Sequence, residues 1–310
     1  MTKEKPYNTL TEYYNKKYGH KVAKVALNAN FTCPNIDGKK GYGGCIYCHK
    51  GSGDFAGDKL KSFEEQYYEV KKALDKKWDN LLYIPYLQAN SNTYSNIKNL
   101  EKIYMEVIEI DKENTIGISI ATRADCINEE IVNLLDKINK IKHVEIELGL
   151  QTSNELTSKL INRCETNLEF INAVKLLREK NIPVVVHIIN GLPYETKTDM
   201  LNTIDFINNL DIQGIKIHSL LILKDTKLYN MYIEKPFNVL TLEEYVEITS
   251  NQIARLKDSI IIHRLQADSS LDDIYLPLWP YKKMVVMNEI DKYMRKNNLY
   301  QGKYYIKNPH

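Results

Sequence analysis

The sequence predicts an α/β fold: a partial barrel of six parallel strands and their helices, (β/α)6, followed by a C-terminal helical extension. Two observations predict it. Strand-like and helix-like stretches alternate six times, and such alternation builds a parallel sheet through right-handed crossovers. The strands also differ from those of a doubly wound sheet, which are apolar on both faces. Val144, Ile146 and Leu148 alternate with Glu145, Glu147 and Gly149, and Ile215 and Ile217 alternate with Lys216 and His218. The apolar face packs on helices, while the charged or small face lines an enclosed space. That describes a barrel with a polar lumen, not the side-chain-filled centre of a closed eight-stranded one. Six strands leave it open on one side.

Each element follows from local signals. Residues 1–20 are polar and tyrosine-rich and read as an irregular arm or a short helix. Lys21 to Asn28 is the first strand and runs directly into a cysteine-rich loop. Ser62-Phe63-Glu64-Glu65 is a capping box that opens a helix to about Trp78. Leu81 to Gln88 is a strand, and Tyr94 to Ile110 a helix with Ile97, Leu100, Tyr104, Val107 and Ile108 at helical spacing. Thr115 to Thr122 is a strand; Asn128 caps a helix to about Ile138. His143 to Leu150 is a strand followed by two short helices, one opened by Thr166-Asn167-Leu168-Glu169. Pro183 to Asn190 is a strand, 198–209 a helix, and Gly214 to Leu221 the sixth strand. Thr241 to Glu244 caps a helix to about Lys257, Ser259 to Leu265 offers an extra strand, and Tyr281 to Lys296 is a final helix. The division falls near 225, with the barrel and its arm in 1–225 and the extension packed on it in 226–310.

Composition bounds the function. With 43% hydrophobic residues over 310 positions, the chain buries a large core. No apolar run reaches the ~18 residues of a membrane span, and the N-terminus lacks the apolar stretch of a secretory signal. Five cysteines without that context fit reduced thiols and a cytoplasmic protein. A formal charge of +2 makes any nucleic-acid binding a matter of local basic surface.

The loop after the first strand holds three of the five cysteines. Cys45 and Cys48 form a C-x-x-C pair, and Cys33 lies eleven intervening residues upstream. Such spacing brings thiolates to one metal centre, and Gly38, Gly41, Gly43 and Gly44 let the backbone fold tightly around it. Three thiolates on an iron–sulfur cubane leave one iron open. The competing arrangement is a closed zinc site completed by His49 or His20. A disulfide leaves an odd thiol over.

Several segments at the strand ends, taken in order, resemble the radical S-adenosylmethionine (SAM) superfamily. They are Tyr86-Leu87-Gln88-Ala89-Asn90-Ser91-Asn92-Thr93-Tyr94, Ala121-Thr122-Arg123-Ala124-Asp125-Cys126, Glu147-Leu148-Gly149-Leu150-Gln151-Thr152 and His187-Ile188-Ile189-Asn190-Gly191-Leu192-Pro193, with Lys216-Ile217-His218-Ser219-Leu220 and Pro277-Leu278-Trp279 beyond. The eleven-residue cysteine gap departs from the superfamily's usual C-x3-C-x2-C. It is similar to the YhcC/YtqA-like (MnmL-like) branch related to the Elongator catalytic subunit.

The resemblance implies a partial TIM-like radical SAM barrel. It implies a [4Fe–4S] cluster on Cys33, Cys45 and Cys48, with SAM chelating the open iron. A low-potential donor of the flavodoxin or ferredoxin type would reduce the cluster, and cleavage of SAM would leave a 5′-deoxyadenosyl radical. Tyr47, Gln88, Gln151, Arg163 and His187 match positions that contact SAM in related enzymes. Where relatives show Gly-His after the arginine, this chain has Cys164-Glu165, so the pairing of Arg163 is expected to differ. Cys126 and Cys164 read as structural. Of the inward charges, Glu147, Lys216 and His218 are the candidates for substrate chemistry.

The branch further implies a tRNA substrate. The associated reaction converts 5-carboxymethylaminomethyluridine at the wobble position to the 5-aminomethyl form. Basic and aromatic surface for RNA is available in Lys16, Lys17 and Lys21 of the arm. The tail adds Lys292, Arg295, Lys296, Lys303, Tyr304, Tyr305 and Lys307. Two alternatives stand beside this reading: a radical SAM enzyme for a small molecule or protein, and a zinc-stabilised nucleic-acid binder without catalysis.

Overall fold

Seven strands, not six, share the main sheet in the computed structural model, which describes residues 5–49 and 56–306. They are β1 (Val22–Leu27), β2 (Leu82–Leu87), β3 (Gly117–Thr122), β4 (His143–Gln151), β5 (Val184–Asn190), β6 (Gly214–Ser219) and, after the short β7 (Ile222–Leu223), β8 (Ile261–Arg264). The spatial order is β1-β2-β3-β4-β5-β6-β8, and every neighbouring pair is parallel. The sheet curls into a half-barrel. The stretch offered as an extra strand is therefore its far edge, and β9 (Ile274–Leu276) pairs antiparallel with β7 beside it.

The helices are α1 (Leu10–Tyr18), α2 (Phe63–Asp75), α3 (Ile97–Glu109), α4 (Glu129–Asn139), α5 (Glu155–Leu160), α6 (Asn167–Glu179), α7 (Lys197–Asn208), α8 (Lys227–Glu234), α9 (Leu242–Arg255) and α10 (Lys283–Lys296). Capping boxes open α1, α2, α6, α7 and α9, with Thr9, Ser62, Thr166, Thr196 and Thr241 each accepting from the backbone N–H three residues on. Each such cap contributes about 1 kcal/mol. The core lies between helices and sheet. Leu100, Tyr104, Val107 and Ile108 of α3 are all fully buried, as are Val144, Ile146 and Leu148 of β4. Truncating Leu100 to alanine is expected to cost about 2–5 kcal/mol.

The arm closes the end of the half-barrel where the strands begin. Leu82 N–H donates to Lys21, Ile262 N–H to Asn8, and His20 Nδ1 lies 3.3 Å from the Asn80 carbonyl. The tail meets it there. Gln301 Nε2 donates to the Lys257 and Ile260 carbonyls at 2.7 Å, and Asn8 N–H donates to Gln301 Oε1. The basic arm and tail thus share the end opposite the cysteine loop, a strand length of about 20 Å away. Lys307 lies outside the described residues. So positioned, His20 is not a fourth ligand for the cysteines.

Candidate active site

The cysteine loop is folded by its own backbone and by the turn before α6. Gly44 N–H donates to Asn35 at 2.7 Å, Gly38 N–H to Gly41 and Lys40 N–H to Pro34. Asn35 is fully buried; its Nδ2 donates to the Asn162 carbonyl at 2.6 Å and faces Cys45 Sγ at 3.5 Å. Asn162 returns the contact through Nδ2 to the Gly44 carbonyl at 2.8 Å. Gly41 is required by space, because a Cβ there would stand 2.3 Å from Asn35 Oδ1 and 2.8 Å from Cys164 Sγ. Cys164 is therefore a spacer behind the loop.

Arg163 binds this turn to the loop. Its Nη2 donates to the Gly149 carbonyl at 2.5 Å and pairs with Glu165 at 2.9 Å, while Nη1 faces Cys45 Sγ at 4.0 Å. Arg123 stands behind it, forked onto Asp125 with both bonds at 2.8 Å and donating to the Arg163 carbonyl. Burial works against the Arg163 charge, but Glu165, Cys45 and Tyr47 outweigh it and hold the guanidinium protonated. Burial pushes the Glu165 carboxyl up despite both arginines. Glu165 thus takes the partner role left open by the departure at 164–165, and Arg163 puts a fixed positive charge behind Cys45.

A second ionic cluster fills the lumen. Glu147 on β4 accepts from Lys24 at 2.5 Å, Lys216 at 2.5 Å and the Tyr86 hydroxyl at 2.6 Å, and lies 2.6 Å from His187 Nε2. Lys24 also donates to Glu145 at 2.6 Å and to Ser119 Oγ at 3.0 Å. Burial opposes the Glu147 charge, yet Lys216, Lys24 and His187 hold its carboxyl well below the usual range. Burial pushes Lys216 down to about 8 even with Glu147 beside it. His187 and His218 stack at 5.3 Å, and burial lowers both.

One cavity of about 310 Å³ joins the two clusters. Cys33, Cys45, Cys48, Tyr47, Gln88, Gln151, Arg163, His187, Glu147, Lys216 and His218, the residues named from sequence, all line it. Among the described residues, the trio of metal-binding side chains whose ligand atoms all lie within 4.8 Å of one another is Glu145, Glu147 and His263, and Lys24 already bridges its carboxylates. The sulfurs of Cys33, Cys45 and Cys48 are not all within 4.8 Å of one another, so at least one pair is wider than the ~3.8 Å edge of a zinc tetrahedron. Spread thiolates opening on a cavity, with a cation behind Cys45, fit a cubane cluster with one open iron.

Sequence reasoning missed Lys24, Tyr86, Ser119, Arg123, Glu165 and Asn35. Lys24 carried a signal, as the lone charge between Val22-Ala23 and Val25-Ala26-Leu27 in a buried strand. Asn35 carried none, because its role arises only when 161–163 folds against the loop.

Comparison with known proteins agrees. Residues 41–207, more than half of the chain, match the family described as Radical SAM superfamily, and 212–296 match the Radical SAM C-terminal domain. The chain is 38% identical over 303 residues to the uncharacterized protein YtqA of Bacillus subtilis, covering 97% of this chain and 94% of that one. It is 23% identical over 301 residues to a tRNA uridine(34) acetyltransferase of Methanocaldococcus jannaschii, covering 82% of this chain but 53% of that protein. The solved structure of the archaeal Methanocaldococcus infernus Elp3 with its N-terminus (1–46) deleted shares the fold, with a TM-score of 0.66 and 18% identity over 90% of this chain and 64% of that one. Fold, cysteine loop and family match agree that the chain belongs to the radical SAM superfamily, whose cofactors are a [4Fe–4S] cluster and SAM.

Proposed function

We propose that this radical SAM enzyme modifies tRNA at the wobble uridine, converting a 5-carboxymethylaminomethyl group to 5-aminomethyl. The observation that carries the reading is the lumen cluster: a buried Glu147 held by four partners at the wall of the cavity that the three cysteines share. The relative named tRNA uridine(34) acetyltransferase supports the choice of substrate, although this chain spans about half of its length.

Cys33, Cys45 and Cys48 would hold the cluster, and when bound, cluster and SAM supply a hydrogen-abstracting radical. The protein's part is placement and proton control. Tyr47, Gln88, Gln151 and His187 line the cavity beside the cysteines and would bound SAM. Arg163 keeps Cys45 beside a positive charge. Glu147 fixes Lys216, whose Nζ, held near neutrality, can give or take a proton at working pH. A small donor protein of the flavodoxin or ferredoxin type would deliver the electron.

Nucleoside analysis of tRNA from a deletion strain tests this. Accumulation of 5-carboxymethylaminomethyluridine, reversed by the intact gene, is the expected result. An unchanged wobble nucleoside would sink the tRNA reading. The small-molecule or protein reading then gains, and one observation already favours it: the basic arm and tail stand at the end away from the cavity.

A further inference from the structure

β8 carries a bulge that changes which way one side chain faces. Along β6 and β8, Gly214 pairs with Ile261 and Ile215 with Ile262, but Lys216 pairs with Arg264. Regular alternation puts His263 on the lumen face and Arg264 on the helix face. The extra residue at His263 restores Arg264 to the lumen side, the kind of re-aiming for which bulges recur beside active sites. His263 keeps its place because Gly214 has no Cβ; one there would stand 2.6 Å from His263 Nε2. Register then sets Gly149, His187, Lys216 and Arg264 side by side across β4, β5, β6 and β8.

Arg264 lines the cavity, and its side chain makes neither a hydrogen bond nor an ion pair with any described residue. Its charge reaches Lys216, His218 and Tyr86. His218 is its neighbour in need: Nε2 is buried and has no partner. The charges do not balance either. Among the described residues, Lys24, Lys216 and Arg264 face Glu145 and Glu147, which leaves one positive charge in excess, and the exposed Arg264 carries it at the open side of the cavity. An unpaired guanidinium at a cavity mouth lined by the buried Lys216 and the unpartnered His218 Nε2 is placed to take an anion.

We propose that Arg264, Lys216 and His218 form an anion subsite that receives a carboxylate on the substrate group to be modified. A guanidinium offers two parallel donors to a carboxylate, and Lys216 and His218 approach from β6. Resting on the wobble-uridine reading, the carboxylate is that of the carboxymethylaminomethyl group; Arg264 sets specificity by requiring it.

The test uses anaerobically prepared holoenzyme and two nucleosides that differ by the carboxylate, 5-carboxymethylaminomethyluridine and 5-methylaminomethyluridine. Binding is read by calorimetry, and SAM affinity separately. Arg264→Gln is expected to weaken the first nucleoside at least ~10-fold, to leave the second and SAM unchanged, and Arg264→Lys to recover part of the loss. Equal weakening of both nucleosides, no weakening, or a loss confined to SAM would each overturn the subsite. If neither nucleoside binds the wild type, N-methylglycine is the second probe, read by NMR of the His218 ring. A shift absent in Arg264→Gln supports the subsite while the uridine reading falls; no shift in the wild type overturns the subsite too.

Discussion

Two ionic clusters flank the cavity, and they differ in how their charges are matched. Behind the cysteine loop, Arg163, Arg123, Glu165 and Asp125 balance in charge and donate to the carbonyls of Gly149 and Arg163, with Arg163 Nε and Arg123 Nη1 left buried and unpartnered. In the lumen, Lys24, Lys216, Arg264, Glu145 and Glu147 do not balance, and the unmatched donors face the cavity. The first is neutral and tied to backbone carbonyls, which fixes geometry. The second is left incomplete and is suited to a ligand. Burial alone does not separate them, since the Glu147 and Glu165 side chains are 0% and 3% exposed. What separates them is charge balance: two cations meet two carboxylates behind the loop, and three cations meet two in the lumen.

The strongest test of that contrast exchanges effects between the clusters. Glu147→Gln removes the charge that holds Lys24 and Lys216, and product formation is expected to fall about 100-fold or more, the scale of a lost proton-transfer or positioning group. Iron content is expected to stay near that of the wild type. Arg163→Met should do the reverse. It strands Glu165 beside Arg123 alone and releases the Gly149 carbonyl. A stability loss of about 3 kcal/mol in urea titration is expected, with iron bound per chain reduced by half or more. If Glu147→Gln empties the cluster, or Arg163→Met spares it, the two regions do not divide the work as described.

A pH series sharpens the lumen side. Lys216 sits at about 8 in the folded protein, against about 10.4 in an unfolded chain. Between those values the unfolded chain binds more protons, so this group makes stability rise with pH from about 8 to 9.5. Lys216→Met should flatten the rise, seen as a difference between urea midpoints at pH 7.5 and 9.5. Activity should move the other way. The subsite needs Lys216 charged, so kcat/KM for the carboxylate-bearing nucleoside should fall through about pH 8, and Lys216→Arg should shift the fall upward. A profile that rises through pH 8 would make Lys216 a base instead.

Much of this was legible in the sequence because the period of two is hard to disguise. Glu145, Glu147, Lys216 and His218 alternate with aliphatic residues, which placed four lumen residues without any contact map. The cysteine loop announced itself by spacing. Arg264 was hidden for a physical reason: simple alternation from Ile262 assigns it to the helix face, and the bulge that turns it inward is set by pairing with Lys216 of β6, 48 residues away. Asn35 was hidden likewise, because a partner's identity is decided where distant turns meet, while Glu165 showed only as a departure from the family's pattern.

The smallest expected effect concerns the tail, and it bears on which region meets RNA. Lys292 pairs with Glu289, Arg295 with Asp291, and Lys303 lies over Tyr304 while donating to the Asn298 carbonyl. These cations are locally occupied and stand at the closed end of the half-barrel. Deleting 299–310 confuses the question, because it removes the buried Leu299 and the Gln301 hydrogen bonds that join arm, tail and β8. Lys292→Gln with Lys303→Gln keeps those contacts. In filter binding with tRNA, the double variant is expected to change affinity less than about 2-fold and to leave the slope of log K against log salt unaltered. A slope reduced by about two would count both lysines as phosphate contacts. RNA would then wrap the closed end as well as the mouth, and the basic arm would regain a role.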